Sequence, residues 1–353
     1  MIAVSVTPVT DFAELGVRWR ALEPRTNGSF FQSWTWVGCL VQERFNDPVL
    51  VEAAEDGRTV ALALFNRVRP RFGTSVLYLG ESGTADLDCP YVEQNGVLAE
   101  VGRDDELTTL CLRAAATRYD LVLSGLSEPV LPAVRRAAGL VLIGRSQGSP
   151  YVDLAALRAS GGDYLSARSA NTRQQIRRSD RFYQEAGPIV LETAGSVEAA
   201  HAMLDALAVL HQAAWTARGR PGSFAEPFFR RFHRALIVSA MPRGEVSLIK
   251  VLCHETTIGI LYNFIHRGRA LAYQSGFAYQ SQTSPAKPGL TCHARAIQGA
   301  MDQGLTVYDF LAGDDRYKRS LADQSHRQIW ARAGRFWSPR LLMGRAVRAF
   351  QWR

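Results

Sequence analysis

V-Y-D-F-L-A-G-D-D-R-Y-K-R-S-L-A, residues 307–322, reads as a short buried strand over 307–311, broken at Gly313 and followed by the start of a helix. Asp314 and Asp315 suit the positive end of that helix's dipole, and Tyr317 and Lys318 follow within its first turn. A polar cluster at the carboxyl end of a strand, just before a helix, is where open α/β sheets place their ligands. Taken alone, the segment is better read as a capped strand-to-helix turn with solvated charges. Its context decides.

The same pattern occurs earlier in the chain. Ahead of Tyr308-Asp309-Phe310 lies an apolar helical pattern over 290–303, closed by Gly304; ahead of Tyr119-Asp120-Leu121 lies one over 107–118. The strands beyond also match: Y-D-F-L-A-G from Tyr308 and Y-D-L-V-L-S-G from Tyr119. Further upstream, residues 48–80 read strand, Asp56-Gly57 turn, strand, short basic turn, strand. Residues 245–276 repeat that order, with turns near His254-Glu255 and His266-Arg267-Gly268. Each half opens with helical sequence, over 11–23 and 34–45 in the first and over 197–218 and 227–240 in the second. Helices, three meandering strands, helix, strand: the order appears twice and predicts two copies of one α/β unit.

A chain of 353 residues suits two domains of ordinary size. A hydrophobic content of 47% argues against extensive disorder. The seam falls where small and breaking residues cluster, from Q-G-S-P at 147–150 through S-G-G at 160–162. The amino terminus, M-I-A-V-S-V-T-P-V-T-D-F, lacks the basic start and apolar core of a signal peptide, and no apolar run approaches the roughly 20 residues of a membrane span. Cys39, Cys89, Cys111, Cys253 and Cys292 are dispersed, with no C-x-x-C pair. Reduced thiols, a cytoplasmic location and no structural metal are the expectation. His293, beside Cys292, reads as part of an amphipathic helix rather than as a metal ligand.

The net charge is +8 and the basic residues are clustered. Arg168, Arg173, Arg177, Arg178 and Arg181 lie in residues 166–187; Arg173, Arg177 and Arg181 recur every four residues and share a helical face that Ser169 or Asn171 can cap. Residues 335–353, R-F-W-S-P-R-L-L-M-G-R-A-V-R-A-F-Q-W-R, alternate basic with large apolar side chains, as do tails that lie on anionic membranes. A solvated basic helix docked on its own domain explains either cluster too. No zinc finger, RNP motif or helix-turn-helix supports DNA as the partner. Charged transfer RNA on the arginine helix stays open, but is not the favoured partner.

Several segments together resemble the CelD-like acetyltransferase domain of the GNAT superfamily, whose relatives include tandem-domain Fem-like aminoacyl transferases. They are N-T-R-Q-Q-I-R-R (171–178), L-H-Q-A-A-W (210–215), G-R-P-G-S-F (219–224), Y-Q-S-G-F-A-Y (273–279), S-P-A-K-P-G-L (284–290) and Y-D-F-L-A-G-D-D-R-Y-K (308–318). The resemblance runs from about residue 165 to about 335. The first half shares only the element order and A-D-L-D-C-P-Y (85–91). The resemblance implies an α/β (α+β) chain of two tandem GNAT-like domains, each a mixed, mostly antiparallel sheet flanked by helices. We place them at residues 1–160 and 161–335, with a basic amphipathic tail at 336–353.

The activity so implied is transfer of an acyl group from a thioester, usually acyl-coenzyme A, to an amine, without a metal. The amine must shed a proton to attack, the oxyanion needs backbone N–H donors, and the diphosphate wants a helix N-terminus with basic side chains. The resemblance offers His211 as general base, Asp309 as a second catalytic group and Tyr317 as acid for the leaving thiolate. Each has a structural alternative: for His211 a packed helical histidine, for Asp309 a buried salt bridge to an arginine such as Arg177. The phosphate loop departs from the glycine- and arginine-rich superfamily form, offering Ser284, Lys287 and Gly289 amid two prolines. Lys318, Arg177 and Arg178 are further candidates for binding the coenzyme. Trp215, Tyr273, Tyr279 and Arg173 are candidates for lining the acceptor groove, although core packing explains the aromatic residues equally. Acceptors in view are a long-chain lipid amine such as a sphingoid base (ceramide formation), a polysaccharide or sugar-nucleotide precursor, and a Fem-like peptide amine. A domain that binds acyl-CoA without turnover is the non-enzymatic alternative, and peripheral association with an anionic membrane goes with the lipid acceptor.

Overall fold

The structure, a computed structural model, describes residues 1–71, 73–279, 285–313, 315–336 and 338. Packing divides the chain into Met1–Gln147 together with the chain from Arg327 onward, and Gly148–His326.

The first unit runs β1 (Ile2–Pro8), α1 (Phe12–Leu22), α2 (Trp34–Val37), α3 (Val41–Arg44), β2 (Pro48–Glu55), β3 (Arg58–Val68), β4 (Val76–Leu79), β5 (Leu98–Ala99), α4 (Asp104–Ala116), β6 (Asp120–Ser127), α5 (Leu131–Ala137) and the start of β7 (Leu140–Asp153). Its sheet has the order β1-β2-β3-β4-β6, followed by a strand supplied from near the end of the chain, and β5 pairs with β3. Among the described residues of this unit, only the strands β4 and β6 run parallel, over Val76–Tyr78. The helix expected over 34–45 is two short helices, because Leu40 adopts the left-handed region, φ 48°, and interrupts the ladder.

The second unit continues with α6 (Leu154–Ala159), α7 (Ala170–Gln184), β8 (Ile189–Thr193), α8 (Val197–Thr216), α9 (Pro227–Ala240), β9 (Val246–Cys253), β10 (Thr256–His266), β11 (Arg269–Phe277), α10 (Pro288–Asp302), β12 (Val307–Asp309) and α11 (Arg316–Leu321). β13 (Gln324–Gly334) then leaves it and pairs antiparallel with β6 in the first unit. The order here is β7-β12-β11-β10-β9-β8, with β11 and β12 the parallel pair. Both units are thus mixed, mostly antiparallel sheets flanked by helices, the repeat read from the sequence.

Three features differ from the sequence reading. Each unit has a further strand, β1 at the start of the first and β8 between α7 and α8 in the second; both lie at sheet edges with alternate residues half-exposed, so their apolar pattern is weak. The first division, at 147/148, falls inside the stretch read as a seam but ahead of the boundary placed at 160/161; the rest of that stretch is the end of β7 followed by α6, and a second division lies at 326/327. Finally, β7 and β13 are exchanged between the halves, which a repeat-by-repeat reading does not anticipate.

Caps fix the helices that matter below. Ser169 accepts from the Thr172 amide at the start of α7, Ser196 from Ala199 at the start of α8, and Pro288 occupies the first turn of α10. The second unit's core under α10 collects Ile176, Val251, Ile258, Leu261, Phe277, Ile297, Tyr308 and Phe310. Arg168, read as part of the basic cluster, is buried instead. It donates to the Leu321 carbonyl and lies 5.1 Å over the Tyr164 ring.

Candidate active site

β11 and β12 pair for only three rungs, Arg269↔Val307, Ala270↔Tyr308 and Leu271↔Asp309. β12 then stops, two residues short of the strand expected from the sequence. β11 continues to Phe277, bonded on one side to β10, with no described strand on the other. A bulge places Tyr273 between the rungs Tyr262↔Gln274 and Asn263↔Ala272. The parted strands leave backbone donors of β11 without a ladder, the arrangement that oxyanion stabilisation calls for.

Helices approach this strand through different residues. At Gly276, a Cβ would sit 2.6 Å from the Leu207 carbonyl oxygen and 3.2 Å from the His211 nitrogen, so only glycine lets α8 lie this close. That contact seats His211, which is buried. The Gln212 amide donates to the Pro221 carbonyl at 2.6 Å, which turns its oxygen toward His211 Nδ1, 3.3 Å away. Nδ1 therefore carries the imidazole proton and Nε2 presents a lone pair. Burial lowers the pKa of His211, partly offset by Gln212, and the Arg218 cation adds to the lowering. It is a neutral base at physiological pH. The loop G-R-P-G-S-F walls it in: Phe224 packs edge-on at 5.1 Å, and Gly222, φ 70°, leaves no room for a side chain beside Gln212. Trp215 lies 5.6 Å from the imidazole, and the Arg218 guanidinium lies 5.9 Å over the Trp215 ring.

α10 brings a residue that the sequence reading set aside. His293 is 2% exposed and sits within 6.1 Å of the Phe277, Tyr308, Phe310 and Tyr317 rings. Its Nδ1 is 3.0 Å from the Tyr308 hydroxyl. Burial, reinforced by the Lys318 cation, lowers its pKa to about 3. Tyr317 stacks on it at 6.0 Å. That tyrosine keeps 38% of its surface open, yet burial of the phenol, then Asp315 and Tyr279, raise its pKa beyond the usual tyrosine range. Arg218 opposes that rise. Since Arg218 acts on both His211 and Tyr317, the end of α8 and the start of α11 share one electrostatic environment. Tyr279, 56% exposed and edge-on to Phe277, belongs to it as well.

Asp309 anchors the turn out of β12. It is fully buried; Oδ1 accepts from Ser149 Oγ at 3.1 Å and from the Leu311 amide at 2.8 Å, and Oδ2 from Arg269 at 3.2 Å. The partner arginine is Arg269, on β11, and not Arg177. Leu311 takes a positive φ of 59°, a strained conformation that the Asp309 acceptor holds. Lys318 reaches into the same turn, its Nζ donating to the Ala312 carbonyl at 2.9 Å.

The remaining candidates lie apart. Tyr273 joins Phe229, His233, Tyr262 and Phe264 in an aromatic cluster under α9, stacked on Phe229 and 4.7 Å from Phe264. Arg173 donates to the Ser166 and Arg168 carbonyls, bracing the entry to α7. Arg177 and Arg178 are exposed on α7. That helix is tied to α10: Ser179 Oγ accepts from the Lys287 amide at 2.8 Å, and Asp180 bonds Thr291 and Arg295. Lys287 is exposed at the start of α10, and Gly289 lies against Phe277, 3.3 Å from a would-be Cβ. Ser284 and nearly all of the tail 336–353 lie outside the described residues. Sequence reasoning passed over His293, Tyr308, Arg218 and Arg269. A histidine amid an otherwise apolar helical face, five residues after Pro288, was the available signal for the first.

The family described as an acetyltransferase (GNAT) domain matches residues 170–319, so this stretch carries a GNAT-type acetyltransferase domain. No curated protein sequence matches the chain. Among solved structures, the chain is similar to FemX (9% identity, TM-score 0.62, covering 98% of this chain and 100% of that one). It is also similar to the C-terminal domain of a putative lysylphosphatidylglycerol synthetase from Agrobacterium fabrum (11%, TM-score 0.57, 94% of each chain). A third is L-PGS from Bacillus licheniformis (11%, TM-score 0.54, covering 97% and 98%). At such identities the likeness is one of fold.

Proposed function

We propose that the second unit transfers an acyl group from a thioester, with acyl-coenzyme A as the donor, to an amine. The observation that carries this reading is His211: a buried, neutral imidazole whose proton is fixed on Nδ1, beside the strand that parts from β12. Its Nε2 takes the proton as the amine nitrogen attacks the thioester carbonyl carbon. Backbone N–H groups of β11 beyond Leu271 receive the oxyanion, and the C–S bond breaks as the amide forms. Tyr317, kept protonated, offers its O–H to the departing sulfur. Asp309 and Lys318 shape the turn that presents Tyr317. Lys287 and the exposed arginines of α7 supply positive charge near the start of α10 for the coenzyme's phosphates.

For the acceptor we favour a long-chain lipid amine such as a sphingoid base. The basic, tryptophan-bearing tail supports it, and one fold likeness carries a name that ends in a phospholipid product. Among the described residues no helix is long and apolar enough to cross a membrane, so contact with a bilayer would be peripheral. Incubating the purified protein with acyl-CoA donors of several chain lengths and a panel of lipid, sugar and peptide amines, followed by mass spectrometry, tests both choices. Amide product with no donor in the panel would reject the reading.

One observation favours a second donor. Arg177, Arg178 and Arg181 are exposed on α7, a helix fastened to α10, and the fold resembles FemX. Such a surface suits a polyphosphate backbone as well as a coenzyme. Thermal protection by aminoacylated transfer RNA, with none from any acyl-CoA, would establish that alternative.

A further inference from the structure

His293 is a buried polar group that the proposed reaction leaves unused. Its Nε2, on the side of the ring away from Tyr308, is buried and has no hydrogen-bond partner among the described residues. Buried polar groups are nearly always paired, so an orphan in an otherwise well-bonded core asks for an absent partner. Its surroundings say where that partner lies. Phe277 ends β11, Phe310 is the first residue beyond β12, and Tyr317 opens α11. These three border the place where the strands part, and all lie within 6 Å of the imidazole centroid.

The identity of the free atom follows from the bonds behind the ring. Among the described residues the Tyr308 hydroxyl makes one hydrogen bond, to His293 Nδ1, and Asn263 Oδ1 has no partner, so it does not take the phenol proton. Tyr308 therefore spends its single proton on His293 Nδ1, 3.0 Å away. The imidazole proton must then reside on Nε2. The Tyr308–His293 pair fixes one tautomer and leaves an N–H on the side of the ring away from Tyr308.

We propose that His293 Nε2–H is a built hydrogen-bond donor for the acyl carbonyl oxygen of the thioester. It binds the neutral carbonyl at the aromatic floor of the gap and follows it as it gains negative charge. The histidine stays neutral, so it gives a hydrogen bond and no proton. This rests on the acyl-donor reading above; it adds a residue that discriminates an acyl from an alkyl thiol derivative.

The test is a cycle of two ligands and three variants. Calorimetry measures acyl-CoA and the corresponding S-alkyl-CoA, which lacks the carbonyl, on wild type, His293→Phe, His293→Gln and Tyr308→Phe. Wild type is expected to prefer the acyl ligand by about tenfold, as one hydrogen bond warrants. His293→Phe should erase the preference while leaving S-alkyl-CoA affinity within about twofold, and His293→Gln, which keeps a donor, should recover part of it. Tyr308→Phe frees the tautomer and should shrink the preference. In ¹⁵N spectra, the wild-type Nε2 signal should be protonated without ligand, and should move with acyl-CoA but not with the alkyl compound. If His293→Phe does not fold, His293→Gln, Tyr308→Phe and the spectra still decide. Equal acyl preference in wild type and the folded His293 variants, or a proton found on Nδ1, overturns the proposal while leaving the donor reading intact. Failure of wild type to bind either ligand overturns both.

Discussion

Gly276→Ala adds one methyl group to β11 and should disable the site through packing alone. The methyl carbon would lie 2.6 Å from the Leu207 carbonyl oxygen, 2.9 Å from Leu210 Cβ and 3.2 Å from the His211 nitrogen. Two of these neighbours are backbone, so no side chain can swing aside. The nearest contact must open from 2.6 Å to about 3.4 Å, which requires α8 to retreat from the sheet by most of an ångström. Overpacking of this kind costs about 1–3 kcal/mol. In a unit of this size that lowers Tm by about 2–10 °C. The displacement falls on the turn of α8 that carries His211. A shift of about 1 Å in a positioned base costs on the order of 10²-fold in rate. Circular dichroism melts paired with single-turnover acyl transfer read both effects. The expected result is a folded protein, modestly destabilised, with its rate constant reduced far more than its donor affinity. A variant with wild-type Tm and wild-type rate would show that α8 does not rest on Gly276 as described.

Three further outcomes follow. His211→Ala should cut turnover by about 10²–10⁴ with little change in Tm, and undiminished turnover would return the histidine to a packing role. His233 and His293 have folded pKa values lowered to about 3, below the ordinary 6.5, so the unfolded chain binds the extra protons. Stability of the second unit should therefore be complete above about pH 6.5 and fall as pH drops towards 3, by about 1.4 kcal/mol per pH unit for each histidine; urea midpoints that do not change between pH 6.5 and 4 would refute this. Glu81 in the first unit behaves oppositely. Burial, then Asp88, push its pKa up to about 8, so its contribution is complete below about pH 4.5 and is lost as pH rises through 8. Glu81→Gln should then raise the urea midpoint at pH 8.5, by of order 1–3 kcal/mol of stability, and leave pH 4.5 nearly unchanged.

The sequence revealed the repeat because both halves keep the features that depend on local chemistry. A helix with an apolar stripe, a hairpin turn and a Y-D strand each bury or expose residues at fixed periods. β1 and β8 escaped because edge strands carry half-exposed alternate residues, and their short runs look like the approach to a helix. The exchange of β7 and β13 escaped for a different reason: strand partners are chosen by tertiary packing, and no local signal marks them. At the site, His211, Trp215, Tyr279 and Tyr317 were named from a resemblance, and the fold places them around the end of β11. Asp309 was recognised as a costly buried charge, but its partner was not, since Arg269 lies 40 residues away on the neighbouring strand. His293 was visible only as a lone histidine on an apolar helix. Its meaning depends on Tyr308, which no spacing rule connects to it.

Comparing the two units explains why we assign transfer to the second. In both, the parallel strands share three rungs: Val76–Tyr78 with Asp120–Val122 in the first, Arg269–Leu271 with Val307–Asp309 in the second. Beyond those rungs the first unit fills the parting with its own chain. Asn95 forms a parallel bridge to Leu126, its amide donates to the Gly125 carbonyl at 2.9 Å, and its side chain donates to the Leu79 carbonyl at 2.9 Å. Asn95 thus engages a carbonyl on each of the two strands, Leu79 on β4 and Gly125 on β6, and sits in the parting itself. The following helix repels the rest of the donor as well. α4 begins with Asp104, Asp105 and Glu106, whose carboxylates occupy the positive end of its dipole, whereas α10 begins beside Lys287 with no acidic residue in its first turn. A polyphosphate donor meets charge repulsion and a filled strand gap in the first unit. In the second it meets a cation and, among the described residues, an open strand edge. The repeat has kept one fold twice, and we place the proposed transfer in the copy whose parallel strands part without a plug among the described residues.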